Sequence, residues 1–96
     1  MLIATVKAKV KEGTGAQYLE IVKKYSAAAV KAKGCVEHLA MPTYNADDFF
    51  QYELWESAED LSAFVATQDA KDFQEARKDI FLAETKLVRK FDATQI

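Results

Sequence analysis

Residues 49–57 read FFQYELWES, and this stretch decides the fold. Phe49, Gln51, Glu53 and Trp55 fall on one side of an extended chain, and Phe50, Tyr52 and Leu54 fall on the other. Period-two alternation with bulky residues on both sides marks a strand inside a sheet. Ser57, with Asp60 three residues on, supplies the cap that turns the chain into a helix. Glu53 is the odd member, since a carboxylate among aromatic rings must be neutralised or partnered.

Upstream, LIATVKAKV at 2–10 alternates Leu2, Ala4, Val6, Ala8 and Val10 against Thr5, Lys7 and Lys9, the pattern of a half-buried strand. KEGTG is a turn, and Thr14 with Gln17 predicts a capping box. Tyr18, Leu19, Val22, Tyr25, Ala29 and Ala32 then recur at helical spacing, with Gly34 as the stop. Cys35 to Met41 predicts a second strand ended by Pro42, and TYNADD supplies the turn before the third. Downstream, Leu61, Phe64 and Val65 predict one short helical face. After TQD at 67–69 the spacing resumes with Phe73, Ala76, Arg77, Ile80 and Phe81, as in a helix broken near Asp69, with Asp69 capping its second half. TKLVRKFD at 85–92 predicts the last strand, with Leu87 and Phe91 on one face. The order β-α-β-β-α-β predicts a ferredoxin-like α+β sandwich, an antiparallel sheet with helices on one face, as a single domain over 1–96.

Composition narrows the function classes. The 96 residues are half hydrophobic, with net charge −2 and no basic stripe, so nucleic acid is a poor partner. No apolar run is long enough to span a bilayer, and the opening residues alternate where a signal peptide would be uniformly apolar. A single cysteine, Cys35, suits a reducing cytoplasm, and with one histidine it cannot build a zinc site. No metal is expected.

Helices cover only one face of such a sheet, so the aromatic residues on the other face would meet water. Burying each is worth roughly 1.5–3 kcal/mol, which favours a homodimer through the sheet face over exposure. A return of the last strand or a loop over that face is the alternative.

If the second and third strands pair through the 42–48 turn with numbers summing to about 91, a register set by turn length, His38 stands opposite Glu53 and Val36 opposite Trp55. The only histidine would then meet the carboxylate of the aromatic strand. Two readings stay open: a buried hydrogen bond that satisfies two core groups, or a pair that handles protons. On the second, His38, Glu53 and Trp55 form the catalytic set, and Tyr18, Tyr25, Phe64 and Phe73 shape a small-molecule pocket. Arg77 would orient an anionic substrate or, equally, stand on the surface of the second helix. The aromatic stripe equally reads as plain core.

With KGCVEH and YELWES in view, the chain resembles the antibiotic biosynthesis monooxygenase family across residues 2–92. The resemblance rests on VKEG after the first strand, Gly34-Cys35 opening the second, Glu53-x-Trp55-Glu56-Ser57 leading into a helix, and ATQDAKDFQEA. It implies a dimeric α/β barrel with a pocket in each subunit. Several members oxidise quinols or polyketides with molecular oxygen and no metal, haem or flavin. Others degrade haem, isomerise a small signalling sugar, or have no known activity. Glu53 and Trp55 match the family's recurrent strand pair, and His38 stands where Tyr is frequent. Asp69 stands where many members have His, and Val6 where haem degraders have Asn; both argue against haem breakdown, and the missing His counts against oxygenase chemistry. The expected activity is a cofactor-independent monooxygenase of a quinol, polyketide-like or other phenolic substrate. A non-catalytic ligand-binding or regulatory module, or an isomerase, are the rivals.

Overall fold

The computed structural model describes residues 1–91. Its order is β1 (Leu2–Val10), α1 (Gly15–Ala29), β2 (Cys35–Pro42), β3 (Asp48–Trp55), α2 (Ala58–Val65), α3 (Gln68–Arg77) and β4 (Phe81–Lys90). The four strands form one antiparallel sheet in the order β2-β3-β1-β4. This is the ferredoxin-like α+β fold that the alternation of strands and helices predicts.

The alternating residues of β1 decide which face is covered. Leu2, Ala4, Val6, Ala8 and Val10 are all buried beneath the helices, beside Phe49, Gln51, Glu53 and Trp55 of β3. The core divides into two clusters. One holds Val10, Tyr18, Val22, Phe49 and Phe73; the other holds Leu2, Ala29, Trp55 and Phe64. Tyr25 packs against both, and it spans the seam where the polar residues of β2 and β3 lie.

Several expected boundaries shift, each for a local reason. Thr14 is the N-cap of α1 but makes no side-chain cap bond; its hydroxyl donates to the Lys11 carbonyl at 2.6 Å. Asp47 does the capping instead, its carboxylate accepting from the Gly13 and Gly15 N–H groups at 3.1 and 3.0 Å. α1 ends at Ala29, ahead of Ala32; Gly34, at φ +84°, serves the turn into β2. Thr67, two residues before Asp69, caps α3, accepting from the Ala70 N–H. α3 stops at Arg77, so Ile80 closes a turn and Phe81 opens β4 opposite Val10, four residues before the expected start. The last expected strand residue, Asp92, lies outside the described residues.

The β2–β3 register matches the turn-length argument at His38↔Glu53 and departs from it at the strand's start. A bulge between Cys35 and Glu37 brings Cys35, not Val36, opposite Trp55. Val36 is half exposed.

Candidate active site

β2 and β3 deliver His38 and Glu53 to the same side of the sheet, under α1. Both are buried, with the imidazole side chain only 1% exposed. His38 Nε2 lies 3.4 Å from Glu53 Oε1, a distance for electrostatic attraction, yet Nε2 has no hydrogen-bond partner. On its other side Nδ1 lies 2.6 Å from Ser26 Oγ. Trp55 Nε1–H donates to Glu53 Oε1 at 3.1 Å and fixes the carboxylate from below. A chain of four groups therefore runs Ser26, His38, Glu53, Trp55.

Charge follows from these contacts. Burial alone would raise the Glu53 pKa, but the His38 contact, the Trp55 N–H and the Lys86 charge together hold it below its ordinary 4.5. Glu53 is thus ionised at neutral pH. An ionised carboxylate at 3.4 Å from Nε2 favours the tautomer with its proton on Nε2, since a lone pair there would face negative charge. Nδ1 is then the acceptor, and Ser26 Oγ–H donates to it. Burial, reinforced by the Glu53 charge, pushes the Tyr25 phenol far above its ordinary value, so that side chain stays neutral.

A cavity of about 100 Å³ opens in front of this pair. Its floor is Val6, Gln51, Glu53 and His38; Tyr25 and Phe73 wall it. The two rings stack on each other at 4.0 Å, and Tyr25 meets the imidazole edge-on at 5.4 Å. The mouth lies between α3 and β4, where Gln74, Arg77, Glu84 and Lys86 line the opening. Arg77 sits over the Phe81 and Phe73 rings, 3.9 and 4.6 Å from their centres, and its Nη1 is 3.7 Å from Glu84 Oε2. A larger concavity, about 480 Å³, lies away from His38 and Glu53, at the sheet end lined by Lys7, Lys9, Thr43, Phe50 and Thr85.

The sequence-derived site residues thus separate into three groups. His38, Glu53, Val6, Tyr25, Phe73 and Arg77 line the cavity. Tyr18, Phe64 and Trp55 do not: Tyr18 packs in one core cluster and pairs with Gln51 at 3.3 Å, while Trp55 and Phe64 pack as tilted rings in the other. Trp55 touches the site only through its N–H to Glu53. Asp69 lines a separate depression between α1 and α3, with Ile21, Lys24 and Asp72. Residues not singled out from sequence are Ser26, Gln51, Gln74, Glu84 and Lys86. Ser26 had a signal, because 18, 22 and 26 fall on one helix stripe and a hydroxyl on a core-facing stripe needs a partner. Gln51 had one too, as a polar residue alternating with Phe49 and Glu53. Glu84 and Lys86 come from β4, whose register with β1 no local pattern reveals.

An antiparallel α+β sandwich with an acid and an imidazole sealed under its helices, in front of a ring-walled cavity, defines the class of protein. The chain belongs to the antibiotic biosynthesis monooxygenase family, whose model matches residues 1–76. No curated protein matches it. Solved structures share the fold at low identity. A Nitrosomonas europaea protein, provisionally named an antibiotic biosynthesis monooxygenase, has TM-score 0.88 at 15% identity, covering 95% of this chain and 98% of its own. A Deinococcus radiodurans protein with the same provisional name has TM-score 0.88 at 15% identity, covering 100% and 98%. SnoaB, a cofactor-independent oxygenase from Streptomyces nogalater, has TM-score 0.82 at 12% identity, covering 97% and 94%.

Proposed function

We propose that this chain is a cofactor-independent monooxygenase that oxidises a small phenol or quinol in the His38–Glu53 cavity, acting as a cytoplasmic homodimer. Family membership and the named activity of SnoaB support the reaction class. The observation that carries the reading is His38 Nε2: a buried ring nitrogen, beside an ionised carboxylate, with no hydrogen-bond partner of its own. Buried polar atoms left unpaired cost about 1–3 kcal/mol, and a substrate hydroxyl between Nε2 and Glu53 would remove that cost.

In this reading Glu53 accepts the hydroxyl proton while His38 Nε2–H stabilises the oxygen as its charge grows. The electron-rich ring, held against Tyr25 and Phe73 and away from water, then reduces oxygen. One oxygen atom enters the ring and the other leaves as water. The substrate supplies all four electrons and, in net terms, both hydrogens of that water. Glu53 returns its proton as the water leaves.

Size narrows the substrate. A cavity of about 100 Å³ is smaller than the roughly 150 Å³ that holds benzene in an apolar core, so a single ring fits once mouth side chains such as Gln74 swing outward. Fused polyketide rings would require the α3 wall itself to move. Mass spectrometry after turnover under ¹⁸O₂ tests the reading. One heavy atom in the product is expected; heavy label absent from every product of a quinol panel would refute it.

The homodimer rests on the uncovered side of the sheet. Leu39, Met41 and Leu87 are each more than two-fifths exposed there, beside Phe50, Tyr52 and Leu54, and no described residue covers them. An apolar surface of this extent fits a second copy of the same sheet.

A further inference from the structure

Among the described residues, His38 alone lines both the inner cavity and a hollow on the outer side of β2. That outer groove, about 310 Å³, runs along the free edge of β2 beside α1 and is lined by Lys23, Ser26, Ala27, Leu39 and His38. The imidazole is therefore a partition between them: Nε2 faces Glu53 on the cavity side, and Nδ1 faces Ser26 on the groove side. Ser26 is half-buried on α1 at the groove wall. A serine within a helix ordinarily turns its hydroxyl back to a carbonyl one turn earlier. Here the hydroxyl instead makes a 2.6 Å contact to a ring nitrogen.

We infer that Ser26 is the outer end of a proton path, Ser26–His38–cavity, that joins the sealed site to solvent on the side opposite the substrate mouth. The direction follows from the tautomer. With its proton on Nε2, His38 can give that proton to reduced oxygen in the cavity while Nδ1 takes the Ser26 hydroxyl proton. Ser26 then recovers a proton from water in the groove. Turnover of a phenol and oxygen to product and water needs no net proton, so the path runs inward once and outward once per cycle. The charged groups around the imidazole agree with this: among the described residues Glu53 is the one ionised group paired with it, Tyr25 meets it edge-on and stays neutral, and Lys23 lies at the groove wall.

The path's use in turnover rests on the monooxygenase reading; its existence does not. The chain has one histidine, so imidazole resonances of the ¹⁵N-labelled, tag-free protein belong to His38 alone. Ser26→Val and Ser26→Thr are nearly the same shape and differ in the hydroxyl. Proton exchange of the imidazole with water, read by NMR, is expected to slow by an order of magnitude or more in Ser26→Val and to stay near wild type in Ser26→Thr. Wild-type shifts are expected to report the Nε2–H tautomer. Equal exchange in the two variants, or an Nδ1–H tautomer in the wild type, would overturn the inference whatever the protein oxidises. With a working substrate, Ser26→Val is also expected to lower kcat and leave KM unchanged; failure of all substrates with the exchange difference intact would tell against the oxygenase reading alone.

Discussion

Glu53 is where a single residue matters most. Its carboxyl is held below the ordinary carboxylate range in the folded chain, so folding favours the ionised form. A depressed folded pKa contributes stability that is fully present above the unfolded value near 4.5 and is lost as pH falls through the lower folded value. Glu53→Gln keeps an oxygen for the Trp55 N–H and removes the charge. It is expected to cost about 2 kcal/mol at neutral pH and to flatten the acid limb, as read by urea denaturation across pH 3 to 7. An acid limb identical to wild type would mean that His38 and Trp55 do not hold the carboxylate. Trp55→Phe removes the N–H together with part of a fully buried ring, and since that ring does not line the cavity, it is expected to lower kcat through Glu53 and leave KM nearly unchanged. An oxidation rate equal to wild type would show that the indole does not position the acid. The pairing of His38 with Glu53 was legible because turn length and alternation set the register of a hairpin. The Ser26 contact was legible only as a core-facing hydroxyl in need of a partner, since nothing along the helix says which strand residue it meets.

Among the elements, α1 shows why local cap signals mislead. Thr14 and Gln17 have the spacing of a capping box, but Asp47 reaches in from the β2–β3 turn and takes the Gly13 and Gly15 N–H groups. A carboxylate also suits the positive end of the helix better than a hydroxyl does. Asp47→Ala is expected to destabilise the fold by about 1–2 kcal/mol, against a few tenths for Gln17→Ala, in thermal unfolding. Gly15 is constrained more tightly, because a Cβ there would lie 1.8 Å from the Ala46 carbonyl oxygen. Gly15→Ala is expected to cost more than Asp47→Ala, as it forces the turn off the helix; the reverse order would show that the turn yields freely. Long-range substitutions of this kind explain the other boundary shifts. Thr67 capping α3 was readable from TQD but competed with Asp69, and the early start of β4 depends on Val10, seventy residues upstream.

At the scale of the whole molecule, one face of the sheet builds the candidate site and the other carries the proposed interface. The even residues of β1 and the odd residues of β3 hold the core; alternation alone made the first legible, while β3 carries bulky residues on both faces and only its pairing with β1 says which one is covered. What no sequence pattern gave was the cavity, because its size is the small residue left when Tyr25, Phe73 and Arg77 fill most of the seam. Replacing Tyr52 by Lys at the centre of the bare face, opposite Leu39, puts a charge in the proposed interface. Sedimentation is expected to show a dimer for the wild type and a monomer for Tyr52→Lys, with the site's geometry unchanged; a wild-type monomer at micromolar concentration would remove the dimer. The account as a whole is tested most directly by oxygen uptake with single-ring quinols, wild type beside Glu53→Gln and His38→Ala. One O₂ consumed per quinol is expected for the wild type, with loss of at least about 10²-fold in each variant. Uptake that survives both substitutions, or its absence with every quinol, would contradict it.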